Sequence, residues 1–598
     1  MRPVLKRSVS VPTMTDQTDR ATDSGYPGRA LGAALECGEM DAVRPLAPAA
    51  LARGGSGAVV APHHLATAAG LGILRAGGSA VDAAIATNAV LGVVMGEACG
   101  LGGDAFWLVW DEATGTQAAL NGSGRAPARA DPAALRASGL AVLPFRGPLT
   151  ITVPGAVRSW ADAHARWGHL PIDVILAPAI ELARGGFPAD ELFVRAVEGS
   201  ARTFDEELGP LASGFHAAYR PARRPWRPGE RVRLPALAAT LERLARVGLT
   251  DFYHGEVAAR QVAGLAAAGS ACSAQDLATH ASTWETPLAL DYRGVTATTH
   301  PPNSSGVIGL EILNILRALP APAPADFAPG AGGAIAGADL RWVHLGIEAT
   351  KRALADRDAF LTDPAFATIP VDRLLDAGYG ARLAAGIDPD CASVSPAATN
   401  PPGGGTIFLG VVDRDGNAVS LIESNYAGFG SGIVDPATGI AYQNRGSYFS
   451  LDPAHPNVLA PGKRTLHTLL PGMLFRDGRP WVVHGSMGGD AQPAIFAQVV
   501  SALVDGGVDV ATAVTAPRWH AASPRHFAPP DTVAIEPRFR DGLLAGLAAK
   551  GHVLDVRAPF DGGLGHAHAI ELVEGGPARG GTLAAAADPR SLGLPAAW

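Results

Sequence analysis

The run CASVSPAATNPPGGG, from Cys391 to Gly405, can be neither a helix interior nor a central strand. Its prolines withhold backbone donors, and its glycines cost the most entropy to order. It therefore divides the chain into two halves of different character. Before it the apolar pattern is mostly helical: VPGAVRSWADAHARWG, VILAPAIELARGGF and LPALAATLERLARVGLTDFYHG are amphipathic and closed by glycine. After it come short alternating runs, IFLGVVD and AVSLIES around an Asp-Gly turn, then GMLFRDG, PWVVHGS, TVAIEP and AHAIELV, each predicting a strand. At the front of the folded part, Leu71, Leu74, Val81, Ala84 and Ile85 fall at helical spacing. Gly77 and Gly78 stop the first of two helices, and Ala105 to Trp110 predicts a buried strand. Helices packed on sheets, α+β or layered α/β, is as far as pattern alone reaches.

Charge and composition exclude several classes. With 47% apolar and 17% charged residues in 598, large cores are available. A net charge of −8 without a basic block argues against nucleic-acid binding. No apolar run approaches the ~20 residues of a membrane span. Residues 1–55 are polar and aperiodic and predict a disordered extension; they lack the apolar core of a signal peptide, so a cytoplasmic location is the default. Cys37, Cys99, Cys272 and Cys391 show no metal or disulfide spacing, and Cys99 predicts a buried small residue. DRDGN lacks the glutamate of a calcium loop, His63-His64 has no third ligand at metal spacing and reads as capping or packing, and GLGGD lacks the order of a dinucleotide fingerprint.

Thr406 stands between the glycine run and the first alternating strand. A threonine hydroxyl becomes a useful nucleophile when a base takes its proton, and a free α-amine on the same residue can be that base. An internal threonine gains that amine only if the preceding peptide bond breaks, and Gly403, Gly404 and Gly405 supply the backbone freedom to bend a carbonyl onto the hydroxyl. The plain alternative is a loop meeting a strand. Beyond this tripeptide, the chain resembles the γ-glutamyltranspeptidase family of N-terminal-nucleophile hydrolases. The resemblance is carried in order by HHLATAAGLGILRAGGSAVDAAIA, CGLGGDAFWLVW, VPGAVRSW, LAPAIELARGGFP, PPNSSGVIGLEILNIL, HLGIEATKRALADRDAF, VVDRDGNAVS, FGSGIVDPATGI, NRGSYFSLDP, PGKRTLHTLLPGM, HGSMGGD, APRWH and ADPRSLG. It implies an α+β, four-layer αββα sandwich. It also implies cleavage between Gly405 and Thr406 into fragments 56–405 and 406–598 that stay together as one composite domain, with no metal or organic cofactor. Thr406 matches the nucleophile, its freed amine the base, Gly488 and Gly489 the oxyanion donors, and Ser424 the second hydroxyl.

The sequence departs from the typical family pattern where an amino acid would be gripped. Ser123 stands where an arginine binds carboxylate, with Arg125 two residues on as a candidate substitute that reads equally as a surface charge. Arg445 and Tyr448 replace a glutamine and an aspartate, His467 and Thr468 a serine pair, and Tyr426 an asparagine. An ammonium needs a buried acceptor charge, whereas an arginine fork favours an anion. NRGSYFSLDP and KRTLHTL are similar to the divergent bacterial branch that includes oxamate amidohydrolase. The implied substrates are small amides: γ-glutamyl compounds such as glutathione, with possible transfer to an amine, or non-glutamyl acidic or acyl amides. A non-catalytic binding protein keeping the fold is the alternative of another class. A homodimer of processed protomers is left open, and neither nucleic acid nor membrane is an expected partner.

Overall fold

The alternation of Ile407, Leu409 and Val411 with Phe408 and Val412 decides where the layers lie. In the computed structural model, which describes residues 50–327, 338–394, 405–521 and 532–598, Gly405–Val412 is a strand whose every residue is buried. Successive side chains leave a strand on opposite faces. The odd-numbered residues join Trp107, Val109, Val419 and Leu421 in a cluster with the helices His64–Arg75, Ala80–Val94, Ala156–Trp167 and Ile172–Gly185. Phe408 and Val412 face the other way, towards a second sheet.

The first sheet runs Ala596–Ala597, Ala58–Val60, Gly405–Val412, Ala418–Tyr426, Asp104–Asp111, Thr116–Gly122, Thr283–Glu285. The second runs Leu51–Gly54, Thr582–Ala586, Ala567–Val573, Arg479–Ser486, Pro471–Arg476, Val295–Thr299, Leu288–Tyr292. Every neighbouring pair in both is antiparallel. Leu108, Trp110, Met473, Val483, Ile570 and Leu583 fill the space between them. The backs of Leu474, Val482 and Ala569 meet the helices Gly306–Arg317, Leu340–Phe360 and Gln492–Val504. The molecule is thus the four-layer αββα sandwich implied by resemblance, and the described residues form one compact unit.

The two sheets approach closely near Thr406. A Cβ added to Gly485 would lie 2.5 Å from Phe408 Cε2, so the ring rests on a bare backbone. At the far end of the same strand, Asp413 pins the hairpin to a helix. Its carboxylate accepts from Asn417 N at 2.9 Å, Asp415 N at 3.0 Å and Ala80 N at 3.0 Å. Ala80 opens the Ala80–Val94 helix, whose start is further fixed by the Ser79–Asp82 capping box. His63 caps the preceding helix, its Nδ1 accepting from Leu65 N at 3.2 Å.

The fold begins earlier than the expected boundary at residue 56. Leu51–Gly54 is an edge strand paired with Thr582–Ala586. Its half-exposed side chains carry no readable alternation, and its place is fixed by backbone pairing to the other end of the chain. Residues 1–49 and the glycines Gly403 and Gly404 lie outside the described residues. Among the described residues no helix is long and apolar enough to cross a membrane.

Candidate active site

Thr406 lies where the Gly405–Val412 and Ala418–Tyr426 strands fall out of step. Gly405 is opposite Tyr426 and Ile407 is opposite Glu423, so Ser424 and Asn425 together face Thr406. This bulge re-aims the Ser424 side chain. Its Oγ is 2.9 Å from Thr406 Oγ1 and donates to the Gly405 carbonyl oxygen at 2.5 Å. That donation uses the only proton Ser424 has, so the Thr406 hydroxyl is the donor of the pair. Tyr426 N also donates to Ser424 Oγ, at 2.7 Å. Gly405 has no room for a side chain: a Cβ there would lie 2.7 Å from Ala427 O and 2.8 Å from Glu97 O. Thr406 and Ser424 are 2% and 0% exposed, so both hydroxyls are shielded from bulk water.

A buried cation stands next to them. Arg445 Nη2 donates to Ser424 Oγ at 3.2 Å, and Nη1 to Thr468 Oγ1 at 3.1 Å. The guanidinium carbon lies 4.4 Å from the Tyr426 ring centre and 5.4 Å from that of Tyr448, and the two rings are 4.6 Å apart. Tyr426 reaches this stack from a left-handed backbone, φ 74°, a conformation a bulky residue adopts only under tertiary constraint. Burial lowers the pKa of Arg445, against the opposing pull of Tyr448, Tyr426, Asp104 and Asp490. Arg445 is 1% exposed and, being a guanidinium, keeps its charge at neutral pH.

His467 completes one side of the group. Its Nδ1 accepts from Leu469 N at 3.4 Å, which leaves the proton on Nε2 to meet Asp104 Oδ2 at 3.2 Å. Proximity alone would make this an ion pair. Burial and the nearby Arg445 instead push the His467 pKa well below its ordinary value, while burial lifts Asp104 to about 7. A neutral imidazole donating to the carboxyl group fits both directions. Ser123, at the place of the missing arginine, turns its hydroxyl to Asn121 Oδ1 at 2.7 Å. Arg125 faces elsewhere: it donates to Gly462 O at 3.2 Å and stands 3.5 Å from Asp363. The contacts that join Thr406, Ser424, Tyr426, Arg445, Tyr448 and Thr468 do not include it.

Gly488 and Gly489 form the turn that leaves the Arg479–Ser486 strand, with φ of 150° and 55°. Among the described residues neither N–H donates a hydrogen bond. The next residue, Asp490, accepts from Tyr448 OH at 3.1 Å on each oxygen and pairs with Arg357 at 2.7 Å. Asp104, Asp490 and Arg357 were not singled out from the sequence. The signal was present twice, as Gly-Gly-Asp in GLGGD and in GSMGGD, and once in the ADRD of the long helix. Behind the bulge, Glu423 accepts from Gly100 N at 2.8 Å and Asn88 Nδ2 at 2.5 Å, and burial raises its pKa to about 8. Cys99 is a buried free cysteine whose pKa burial raises further, in keeping with a packing role.

Comparison with known proteins agrees over nearly the whole length. A family model described as gamma-glutamyltranspeptidase matches residues 66–598. The glutathione hydrolase-like YwrD proenzyme of Bacillus subtilis (strain 168) is 38% identical over 539 residues, 90% of this chain and 97% of its own. The oxamate amidohydrolase proenzyme of Klebsiella pneumoniae subsp. pneumoniae is 39% identical over 549 residues, 91% of this chain and 98% of its own. Among solved structures, the cephalosporin acylase from Bacillus halodurans superposes with a TM-score of 0.84 at 35% identity, covering 94% of this chain and 99% of that one.

Proposed function

This chain belongs to the γ-glutamyltranspeptidase family and is an amidohydrolase of it, and we propose that it is activated by cutting itself between Gly405 and Thr406 and then hydrolyses short acidic amides. The observation that carries the reading is the contact set Thr406 Oγ1–Ser424 Oγ–Gly405 O. Ser424 donates to the carbonyl that would be attacked, drawing electrons from its carbon as the oxygen gains charge. Attack by Thr406 Oγ1 on Gly405 C, with the hydroxyl proton passing to the departing Thr406 nitrogen, exchanges the amide for an ester. Water then cleaves the ester, leaving a carboxylate on Gly405 and a free amine on Thr406. The large fragment ends at Gly405 and the small one begins at Thr406.

In turnover the freed amine takes the Thr406 proton, and the hydroxyl oxygen attacks the substrate carbonyl. The N–H groups of Gly488 and Gly489, which donate to nothing else among the described residues, receive the developing oxyanion. The departing amine leaves with a proton, and water releases the acyl group. Arg445 selects the acyl group. It sits one hydroxyl away from Thr406, because both bind Ser424 Oγ. A carboxylate held by that guanidinium lies beside the reacting carbonyl, as in the amide of a short dicarboxylic acid. The γ-glutamyl group places its carboxylate several carbons further away and needs an acceptor for its ammonium, where this chain has Tyr448 and Arg445. The oxamate amidohydrolase of Klebsiella is a relative in which such a substrate is named.

Intact mass and substrate release test both halves. Purified protein is expected as two fragments, the smaller beginning at Thr406, and Thr406→Ala as one uncut chain. Ammonia release from oxamate is expected to exceed glutamate release from glutathione at least about tenfold in kcat/KM, the worth of one well-placed charged contact. An uncut wild type sinks self-activation; a preference for glutathione sinks the short-acid reading.

A further inference from the structure

The ADRD sequence near the end of the Leu340–Phe360 helix has no part in the chemistry described so far, yet it places a guanidinium deep in the protein. Arg357 is 1% exposed. Its Nε donates to Asp358 at 2.9 Å and its Nη1 to Asp490 Oδ1 at 2.7 Å. Asp490 is the residue directly after Gly488-Gly489, and both its oxygens receive Tyr448 OH. Tyr448 stacks on Tyr426 and Arg445. One carboxylate therefore links the turn of the oxyanion donors to the stack of the anion-binding arginine, and one arginine, from a helix of the outer layer, holds that carboxylate.

We infer that Arg357 is a positioning residue for the amide hydrolysis: it fixes the Asp490 carboxylate, which in turn sets the Gly488-Gly489 turn and the Tyr448–Arg445 stack in a single frame. The inference rests on the functional reading above and adds to it a residue that touches neither substrate nor Thr406. A guanidinium suits the task because its planar fork spans Asp358 on its own helix and Asp490 across the interface. The charged and titratable groups around Asp490 come from two directions: Arg357 and Asp358 on the helix, and Arg445 with Tyr448 on the short turn that carries the stack. Burial and Asp358 favour the protonated acid; Arg357, the Tyr448 hydroxyl and Arg445 oppose them. Without Arg357 the acid takes up its proton at a higher pH and loses one of the two acceptor sites that Tyr448 uses.

The experiment compares Arg357→Met, Arg357→Lys and the double variant R357M/D490N with the unvaried full chain, each checked for fold by melting temperature. In Arg357→Met, kcat/KM for oxamate is expected to fall about 10²-fold, the cost of a catalytic frame displaced from afar. Arg357→Lys is expected to recover at least about tenfold of that loss, since an ammonium keeps the charge but not the fork. As pH falls, Arg357→Met is expected to lose activity more steeply than the double variant, in which no carboxyl remains at 490 to be protonated. Superimposable pH profiles for those two, or a lysine variant as poor as the methionine one, overturn the inference. Should Arg357→Met fail to fold, Asp490→Asn, which keeps the volume, decides alone: an unchanged kcat/KM overturns the inference and a loss of tenfold or more upholds it. An unvaried chain that hydrolyses no amide sinks the functional reading and this inference together; turnover with superimposable profiles sinks the inference only.

Discussion

Gly102-Gly103-Asp104 and Gly488-Gly489-Asp490 spell the same tripeptide, one entering the first sheet and the other leaving the second, yet the glycines answer different demands. In the first, the need is proximity. A Cβ on Gly103 would lie 2.5 Å from Glu423 Oε1 and 2.8 Å from Ser424 O, and one on Gly102 would strike the Ala441 carbonyl. In the second, the need is conformation, since both glycines have φ in the left-handed half of the map. The aspartates differ in parallel. Asp104 meets a neutral imidazole and the Gly124 N–H, with its nearest cations, Arg445 and Arg464, acting from a distance, and burial lifts it to about 7. Asp490 has a guanidinium in contact, which works against the same burial. Burial raises both carboxyl groups, and identical sequence leaves them with different partners across the interface, a histidine for one and an arginine for the other.

The widest gap between the two turns is expected in catalysis. Gly489→Ala forces a side chain into a left-handed backbone at the proposed oxyanion donors, and kcat of processed protein should fall ~10²–10³-fold in steady-state assays. Gly103→Ala should act through packing. Its methyl group collides with the Ser424 main chain, costing about 1–3 kcal/mol in denaturant unfolding and slowing the appearance of the small fragment on gels.

A smaller difference concerns pH. The folded pKa of Asp104, about 7, lies above the ~3.9 of an unfolded aspartate. Between those values the folded state binds more protons, so stability is full below pH ~4 and declines as pH rises towards 7. Asp104→Asn should flatten that decline in melting curves taken across the same range; an unchanged slope would place the titration elsewhere. The smallest effect is expected at Arg125→Ala. The side chain is part-exposed and bonded to Gly462 O and Asp363, so stability should change by less than ~1 kcal/mol and kcat/KM by less than about twofold.

What was legible in the sequence was what short-range patterning encodes. Alternation marked Gly405–Val412 and Ala418–Tyr426, Asp-Gly marked their hairpin, and glycine marked the helix ends. Residues 424, 445, 448 and 468 could be singled out because their blocks follow in a recognisable order, and the structure brings Ser424, Tyr448 and Thr468 against the Arg445 guanidinium. The missing parts are long-range. Nothing near Asp104 announces His467, nothing near Arg357 announces Asp490, and the one-residue mismatch that aims Ser424 is a property of two strands in register. Leu51–Gly54 was missed for the same reason, being a strand only by virtue of its partner.

The order of strands in the two sheets has a consequence for how long this protein lasts. In the first sheet Gly405–Val412 lies between Ala58–Val60 and Ala418–Tyr426, and in the second Pro471–Arg476 lies between Val295–Thr299 and Arg479–Ser486. Under the proposed cut, each fragment would thread through both sheets of the other. The uncut chain folds as one molecule, by a concentration-independent route. Once cut and unfolded, the pieces must find each other again in dilute solution before either has a sheet to join. Self-cleavage would then be a ratchet: the processed enzyme persists only as long as its unfolding barrier holds, and its lifetime becomes a matter of rate rather than of equilibrium.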